Sequence, residues 1–291
     1  MEPRAIAERI WPGRGPEVDE LGGGITNRNF KVAVGGEAFV LRVGGKDTQL
    51  LGIDRDHEHA ASVAAARAGV GPEVVAYVAE EGWLVTRFVE GHPVPVEELR
   101  TPTGIQRVVE ALRGVHEGPE IPGRFDPFRV VETYRETAET HRVEIPAGYA
   151  WAKEKADAIE RALGKRPRRP CHNDLLNANF LADGERLWIV DWEYAGMGDP
   201  FFDLANFAVN HELGEAEEAL LLSAYLGEPS ECDRDALRLL RFMSDFREAM
   251  WGVVQQGISE LDFDFATYAE EHFERLRRTA SDPGFEAALA P

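Results

Sequence analysis

The stretch from Cys171 to Phe207 reads CHNDLLNANFLADGERLWIVDWEYAGMGDPFFDLANF. A polar cluster, His172-Asn173-Asp174, is followed by Asn177 and Asn179. A turn at Asp183-Gly184 then leads into an apolar run, Leu187-Trp188-Ile189-Val190, with Asp191 at its end. The run reads as a strand, so a hairpin returns Asp191 to the side of the Asp174–Asn179 loop. Three oxygen-bearing groups therefore converge. Magnesium takes hard oxygen ligands, one or two from protein and the rest from phosphate and water. The Asn179 amide oxygen and the Asp191 carboxylate suit that role. Asp174 is left to accept the proton of an attacking hydroxyl. The chemistry that needs this set is phosphoryl transfer.

The order His-x-Asp-x-x-x-x-Asn, a strand, then Asp resembles the aminoglycoside phosphotransferase and choline kinase superfamily, which has a protein-kinase-like fold. The resemblance implies that Asp174 is the base, that His172 buttresses the catalytic loop, that Asn179 and Asp191 hold the metal, and that Asp203, in Asp203-Leu204-Ala205-Asn206, holds the loop from beneath. A protein kinase is disfavoured. Asp191 is followed by Trp192-Glu193 rather than Phe-Gly, and the interval to Asp203 leaves no room for a long activation segment.

Upstream, Leu21-Gly22-Gly23-Gly24-Ile25-Thr26-Asn27 precedes a hairpin of Phe30–Val34 and Phe39–Val43. Glycines let backbone N–H groups approach phosphates, which makes Gly24, Thr26 and Asn27 candidate nucleotide contacts. The GKS or GKT of a P-loop is absent, which excludes a Walker-type ATPase. Arg42, at the end of the next strand, is a planar, bidentate phosphate binder. The family order implies that Glu58, on the helix that follows, anchors it. Arg87, Phe88 and Val89 fit the hinge that receives adenine, mainly through backbone groups. His57 and His59 lie two apart on that helix and point about 200° apart, so they cannot share a metal ion.

For the acceptor, DWEYAGMGDPFFDLANF and the later MWGVVQQGISELDFDFATYAEEHF resemble the choline/ethanolamine kinases. Trp251 and Tyr268 match the positions of a quaternary-ammonium box, and cations over aromatic faces are attracted by the ring quadrupole. Glu248 stands where the family often has a second tryptophan, and Asn210 where it often has an acid. The expected acceptor is a small amino alcohol, choline or ethanolamine in kind, held by Trp251, Tyr268, Glu248 and Glu193. An aminoglycoside kinase of the same superfamily remains an alternative, and so does a nucleotide-binding pseudokinase regulator. The second is disfavoured by the presence of Asp174, Asn179 and Asp191.

The 291 residues allow two lobes with substantial cores. Strand patterns and one helix fill the chain to residue 89, and helical periodicity dominates afterwards. The expected fold is α+β: a two-lobe, protein-kinase-like arrangement, with a β-rich nucleotide-binding lobe over 1–89 and a mainly helical catalytic and acceptor-binding lobe over 90–291. ATP and Mg2+ are the expected cofactors. With 52 acidic against 32 basic residues the formal charge is −20, which disfavours nucleic acid and anionic membranes as partners. Two cysteines, no secretion signal and no long apolar run suggest a cytoplasmic protein.

Overall fold

The computed structural model describes residues 1–22, 26–184 and 186–290. Its first part is a sheet of β1 (Glu17–Leu21), β2 (Asn27–Val34), β3 (Glu37–Gly44), β4 (Val74–Val78) and β5 (Trp83–Arg87), in the antiparallel order β1-β2-β3-β5-β4. The β2–β3 turn is made by Gly35 and Gly36, both at positive φ (62° and 83°), the conformation a two-residue hairpin of matching twist demands. Alternate residues Phe30, Val32 and Val34 face inward and meet Phe39, Leu41, Trp83 and Val85. Helix α1 (Pro3–Ile10) covers this face with Ile6 and Ala7. Helix α2 (Arg55–Arg67) starts at Asp54, whose carboxylate accepts the N–H groups of Asp56 and His57.

The remainder is mainly helical: α3 (Val96–Leu99), α4 (Pro102–His116), α5 (Pro127–Thr140), α6 (Gly148–Leu163), α7 (Pro200–Asn210), α8 (Glu215–Leu226), α9 (Glu231–Ile258), α10 (Phe265–Ala280) and α11 (Pro283–Ala288). Short strands β6 (His92–Pro93), β7 (Arg169–Cys171), β8 (Phe180–Asp183), β9 (Arg186–Ile189) and β10 (Gly196–Gly198) are interleaved with them. Helix α9 is the hub. It packs against α5, α6, α7, α10 and α11, and nearly every residue from Ala236 to Gln255 is buried. A helix buried on all sides is normally apolar throughout. This one carries Asp245, Arg247 and Glu248 in its interior.

The two-lobe α+β arrangement read from the sequence is present. The expected hairpin strands Phe30–Val34 and Phe39–Val43 lie within β2 and β3, and helices dominate after residue 89. Strand β1 was not expected, because EVDEL is charged and forms an edge whose side chains are mostly exposed. Strands β6, β7 and β10, of two or three residues, are too short to leave a periodic signal. Among the described residues, no helix is long and apolar enough to cross a membrane.

Helix α4 enters the core tightly. Thr101 caps it by accepting the Gly104 N–H at 3.0 Å, and a Cβ on Gly104 would lie 2.1 Å from the Glu98 carbonyl oxygen. Gly104→Ala should therefore destabilise the chain by about 1–3 kcal/mol, the usual cost of overpacking. Urea denaturation checks this, and an unchanged midpoint would show that the α3–α4 corner yields freely.

Candidate active site

Strand β7 delivers the chain to the loop His172–Leu176, and α7 fixes that loop from below. Asp203 is fully buried. Its carboxylate accepts the N–H of His172 at 2.8 Å and of Asn173 at 2.7 Å. His116, on α4, reaches the same carboxylate at 2.9 Å and is itself bonded to the Tyr225 hydroxyl at 2.8 Å. One helical turn on, Asn206 accepts the N–H of Leu175 and donates to Ser244 Oγ at 2.9 Å. Asp203 and Asn206 thus form one face of α7 that holds three loop amides. The sequence reading identified Asp203 and missed Asn206, although their i, i+3 spacing was the available signal.

The remaining amide, Asp174 N–H, donates to His172 Nδ1 at 3.2 Å. That leaves Nε2 as the protonated nitrogen, and it donates to the Val190 carbonyl at 3.0 Å. Burial lowers the His172 pKa and keeps the ring neutral, as this tautomer requires. Both ring nitrogens are occupied by backbone, so His172 positions the loop and moves no proton.

The β8–β9 hairpin returns the chain as expected. Val190 N–H donates to the Asn179 carbonyl at 3.0 Å, which brings Asp191 beside the loop at a positive φ of 69°. The Asn179 amide nitrogen donates to the Asp174 carbonyl at 2.8 Å, so its oxygen is the atom turned to a ligand. The donor set, an amide oxygen and a carboxylate, is hard and fits magnesium.

Above the hairpin, Arg42 Nη1 bridges Glu58 Oε1 and Asp191 Oδ1, both at 2.7 Å. Glu58 is the anchor expected from the sequence. Burial works against the Arg42 charge, but Asp191, Glu58 and Glu193 outweigh it and hold the guanidinium protonated. A second arginine, Arg55, was not anticipated. It donates to Glu58 at 2.6 Å and Glu193 at 3.1 Å through Nη1, and to Asn27 at 2.9 Å through Nη2. Glu193 also takes the Thr26 hydroxyl at 2.6 Å and the Asn27 amide at 2.8 Å.

These contacts correct one expectation. Glu193 was expected beside the acceptor, yet its carboxylate faces the small lobe and ties down Thr26 and Asn27. At the expected adenine hinge, the Arg87 and Phe88 amides donate to Glu73 O (2.8 Å) and Ala38 O (3.0 Å). The Arg87 guanidinium pairs with Glu73 and Glu37 on the surface, and the Phe88 ring lies under Lys31. Val89 follows them at the start of the connection to β6. Gly24 lies outside the described residues.

On the other side of Asp174, α9 and α10 bring Trp251, Tyr268 and Glu248 together, as expected. The Trp251 and Tyr268 rings meet edge-to-face at 5.5 Å, and the Tyr268 hydroxyl donates to Glu248 Oε2 at 2.9 Å. Two further members escaped the sequence reading. Tyr194, the neighbour of the misassigned Glu193, accepts the Trp251 indole N–H at 3.1 Å. Arg247 reaches Asp174 Oδ1 at 3.2 Å and pairs with Glu248, while its guanidinium carbon lies 4.4 Å from the centre of the Tyr194 ring. Its Nε and Nη2 are buried without a hydrogen-bond partner. The charged pair Arg247-Glu248 inside an otherwise apolar helix was the signal. Exposure is 1% for Arg247, 2% for Glu248, 7% for Trp251 and 8% for Asp174, while Tyr268 is half-buried. Breaking a buried ion pair costs about 3–5 kcal/mol. One cation–π contact returns only about 0.5–2 kcal/mol. Arg247 is therefore a fixture of this pocket and not a side chain that a ligand cation can displace. Asn210, below it, donates to the Leu175 carbonyl at 3.4 Å and supports the loop.

Burial raises the Asp174 pKa to about 7. Arg247 opposes the shift, while Glu248, Asp191 and Glu193 add to it. Glu193 is likewise raised to about 7, by burial and by Asp191 and Glu58.

A kinase-like bilobal fold with Asp174, Asn179 and Asp191 at its cleft defines a small-molecule phosphotransferase. Residues 17–240 match the model of the Phosphotransferase enzyme family. The crystal structure of a choline/ethanolamine kinase family protein from Mesorhizobium loti superposes with a TM-score of 0.83. It is 32% identical, covering 98% of this chain and 96% of that one. The chain belongs to the phosphotransferase enzyme family and, within it, to the choline/ethanolamine kinase family. Protein LicA of Haemophilus influenzae is 27% identical over 259 residues, covering 84% of this chain and 75% of LicA. Ethanolamine kinase 2 of Mus musculus is 27% identical over 289 residues, covering 86% of this chain and 72% of the mouse protein.

A carboxyl whose folded pKa is raised binds its proton more tightly folded than unfolded. Its contribution to stability therefore falls as pH rises from about 4 to about 7, and above that the fold carries the ionised group at a cost. Asp174→Asn removes that cost together with the proton acceptor. Turnover should fall by about two to four powers of ten, while the melting temperature at pH 8 stays at or above that of the parent. Near-normal turnover would remove Asp174 from the role of base.

Proposed function

We propose that the chain transfers the γ-phosphate of ATP, with magnesium, to the hydroxyl of a small amino alcohol of the choline or ethanolamine kind. The observation that carries this reading is the position of Asp174. It has the oxygen donors Asn179 and Asp191 on one side, and on the other a cluster in which Glu248 meets Tyr268 and Tyr268 meets Trp251.

Each group has a part in that chemistry. Arg42 would bind phosphate oxygens, with Thr26 and Asn27 as further nucleotide contacts. Asn179 and Asp191 would hold magnesium, which neutralises charge on the phosphate oxygens. Arg247 engages one oxygen of Asp174, which leaves the other for the acceptor hydroxyl. As the alcohol oxygen bonds to the γ-phosphorus, its proton passes to Asp174 and the bond to the ADP oxygen breaks. The buried aromatic and acidic groups exclude water, the competing nucleophile.

The kinship with choline/ethanolamine kinases and the carboxylate of Glu248 favour a cationic acceptor, and the acidic surface disfavours an anionic one. ATP consumption should be measured with ethanolamine, choline, thiamine and aminoglycosides, each with and without magnesium. Magnesium-dependent turnover of ethanolamine or choline is expected. Turnover of an aminoglycoside alone would overturn the acceptor and leave the kinase. Asp191→Ala should abolish the magnesium-dependent rate, because it removes the carboxylate of the metal set. Full activity at ordinary magnesium would refute that assignment.

A further inference from the structure

The buried cluster beside Asp174 already contains a cation. The Arg247 guanidinium lies 4.4 Å from the centre of the Tyr194 ring and covers that aromatic face. It also engages one Glu248 oxygen, and the Tyr268 hydroxyl takes the other at 2.9 Å. The Trp251 indole N–H is tied to the Tyr194 hydroxyl at 3.1 Å. At 1% exposure and bound to two carboxylates, Arg247 is not free to leave.

A trimethylammonium group has no N–H. It gains from aromatic faces and from charge, and it needs an apolar space wide enough to surround its methyl groups. Here one aromatic face is covered and the nearest charge on it is positive. A primary ammonium is smaller and has three donors. It can make short, charge-assisted hydrogen bonds to the carboxylates that Arg247 shares, and so offset its repulsion from the guanidinium.

We propose that Arg247 is the specificity-determining residue of the acceptor pocket: a resident cation that excludes quaternary ammonium and selects amino alcohols whose nitrogen carries N–H donors. The inference rests on the amino-alcohol reading above and names the substrate class within it.

The test is a methylation series, with kcat/KM measured for ethanolamine, its N-methyl and N,N-dimethyl derivatives, and choline. In the parent enzyme kcat/KM should fall with each methyl group, with ethanolamine favoured over choline by about tenfold or more, the size of one or two such contacts. Arg247→Leu should move the ethanolamine-to-choline ratio toward choline by about tenfold. The ratio is the proper readout, because any loss of Asp174 positioning lowers both substrates alike. Should that variant fail to fold with Glu248 left unpaired, Arg247→Met combined with Glu248→Gln removes the ion pair as a unit, a replacement buried pairs often tolerate, and the same shift is expected. Equal or better use of choline by the parent, or an unshifted ratio in a folded variant, overturns the proposal and leaves the amino-alcohol reading intact. If no member of the series is phosphorylated, the amino-alcohol reading fails and the role of Arg247 falls with it.

Discussion

The carboxylate of Asp203 is the interaction on which the catalytic geometry depends. It is fully buried, where an ionised group survives only when it is bonded throughout. It has the two loop amides and His116, and His116 is in turn held by Tyr225 on α8. Helices α4, α7 and α8 are thereby pinned to one loop. The peptide at Asn173 takes a positive φ of 68°, which an isolated chain would avoid and this clamp imposes. Asp174 projects from the next residue, so its direction is set by a group that never touches a substrate.

Charge in the cleft is arranged so that each arginine serves two acids. Arg42 joins Glu58 to Asp191, Arg55 joins Glu58 to Glu193, and Arg247 joins Glu248 to Asp174. Two of these three arginines connect the sheet-bearing half of the chain to the loop after β9. The lobes are thus linked across the cleft by partly buried ion pairs, which water screens less than surface pairs. The acids outnumber the arginines, and that surplus adds to the burial that raises Asp174 and Glu193 to about 7. It also leaves the cleft disposed toward cations.

Much of this was legible in the sequence because the chemistry is local. Asp174, Asn179 and Asp191 sit on one loop and one hairpin, so spacing alone brings them together. Glu58 could be paired with Arg42 because the family order puts an acid on the helix after that strand. What stayed hidden depends on distance or on facing. Arg55 meets Glu193 more than a hundred residues away, and Arg247 meets Tyr194 more than fifty residues away. Glu193 and Tyr194 are adjacent, and a turn sends their side chains to opposite sides of the site, which composition cannot reveal.

The proposed acceptor residues Arg247, Glu248 and Trp251 lie on α9, the helix that packs against α5, α6, α7, α10 and α11. A substitution at these buried positions is therefore felt as a packing change before it is felt as a change of preference. A lineage that exchanges one acceptor for another must pass through coordinated changes at 247 and 248, since either alone strands a buried charge. Among related enzymes, substrate range should therefore shift in discrete jumps, with each type of pocket marked by a matched pair at these two positions.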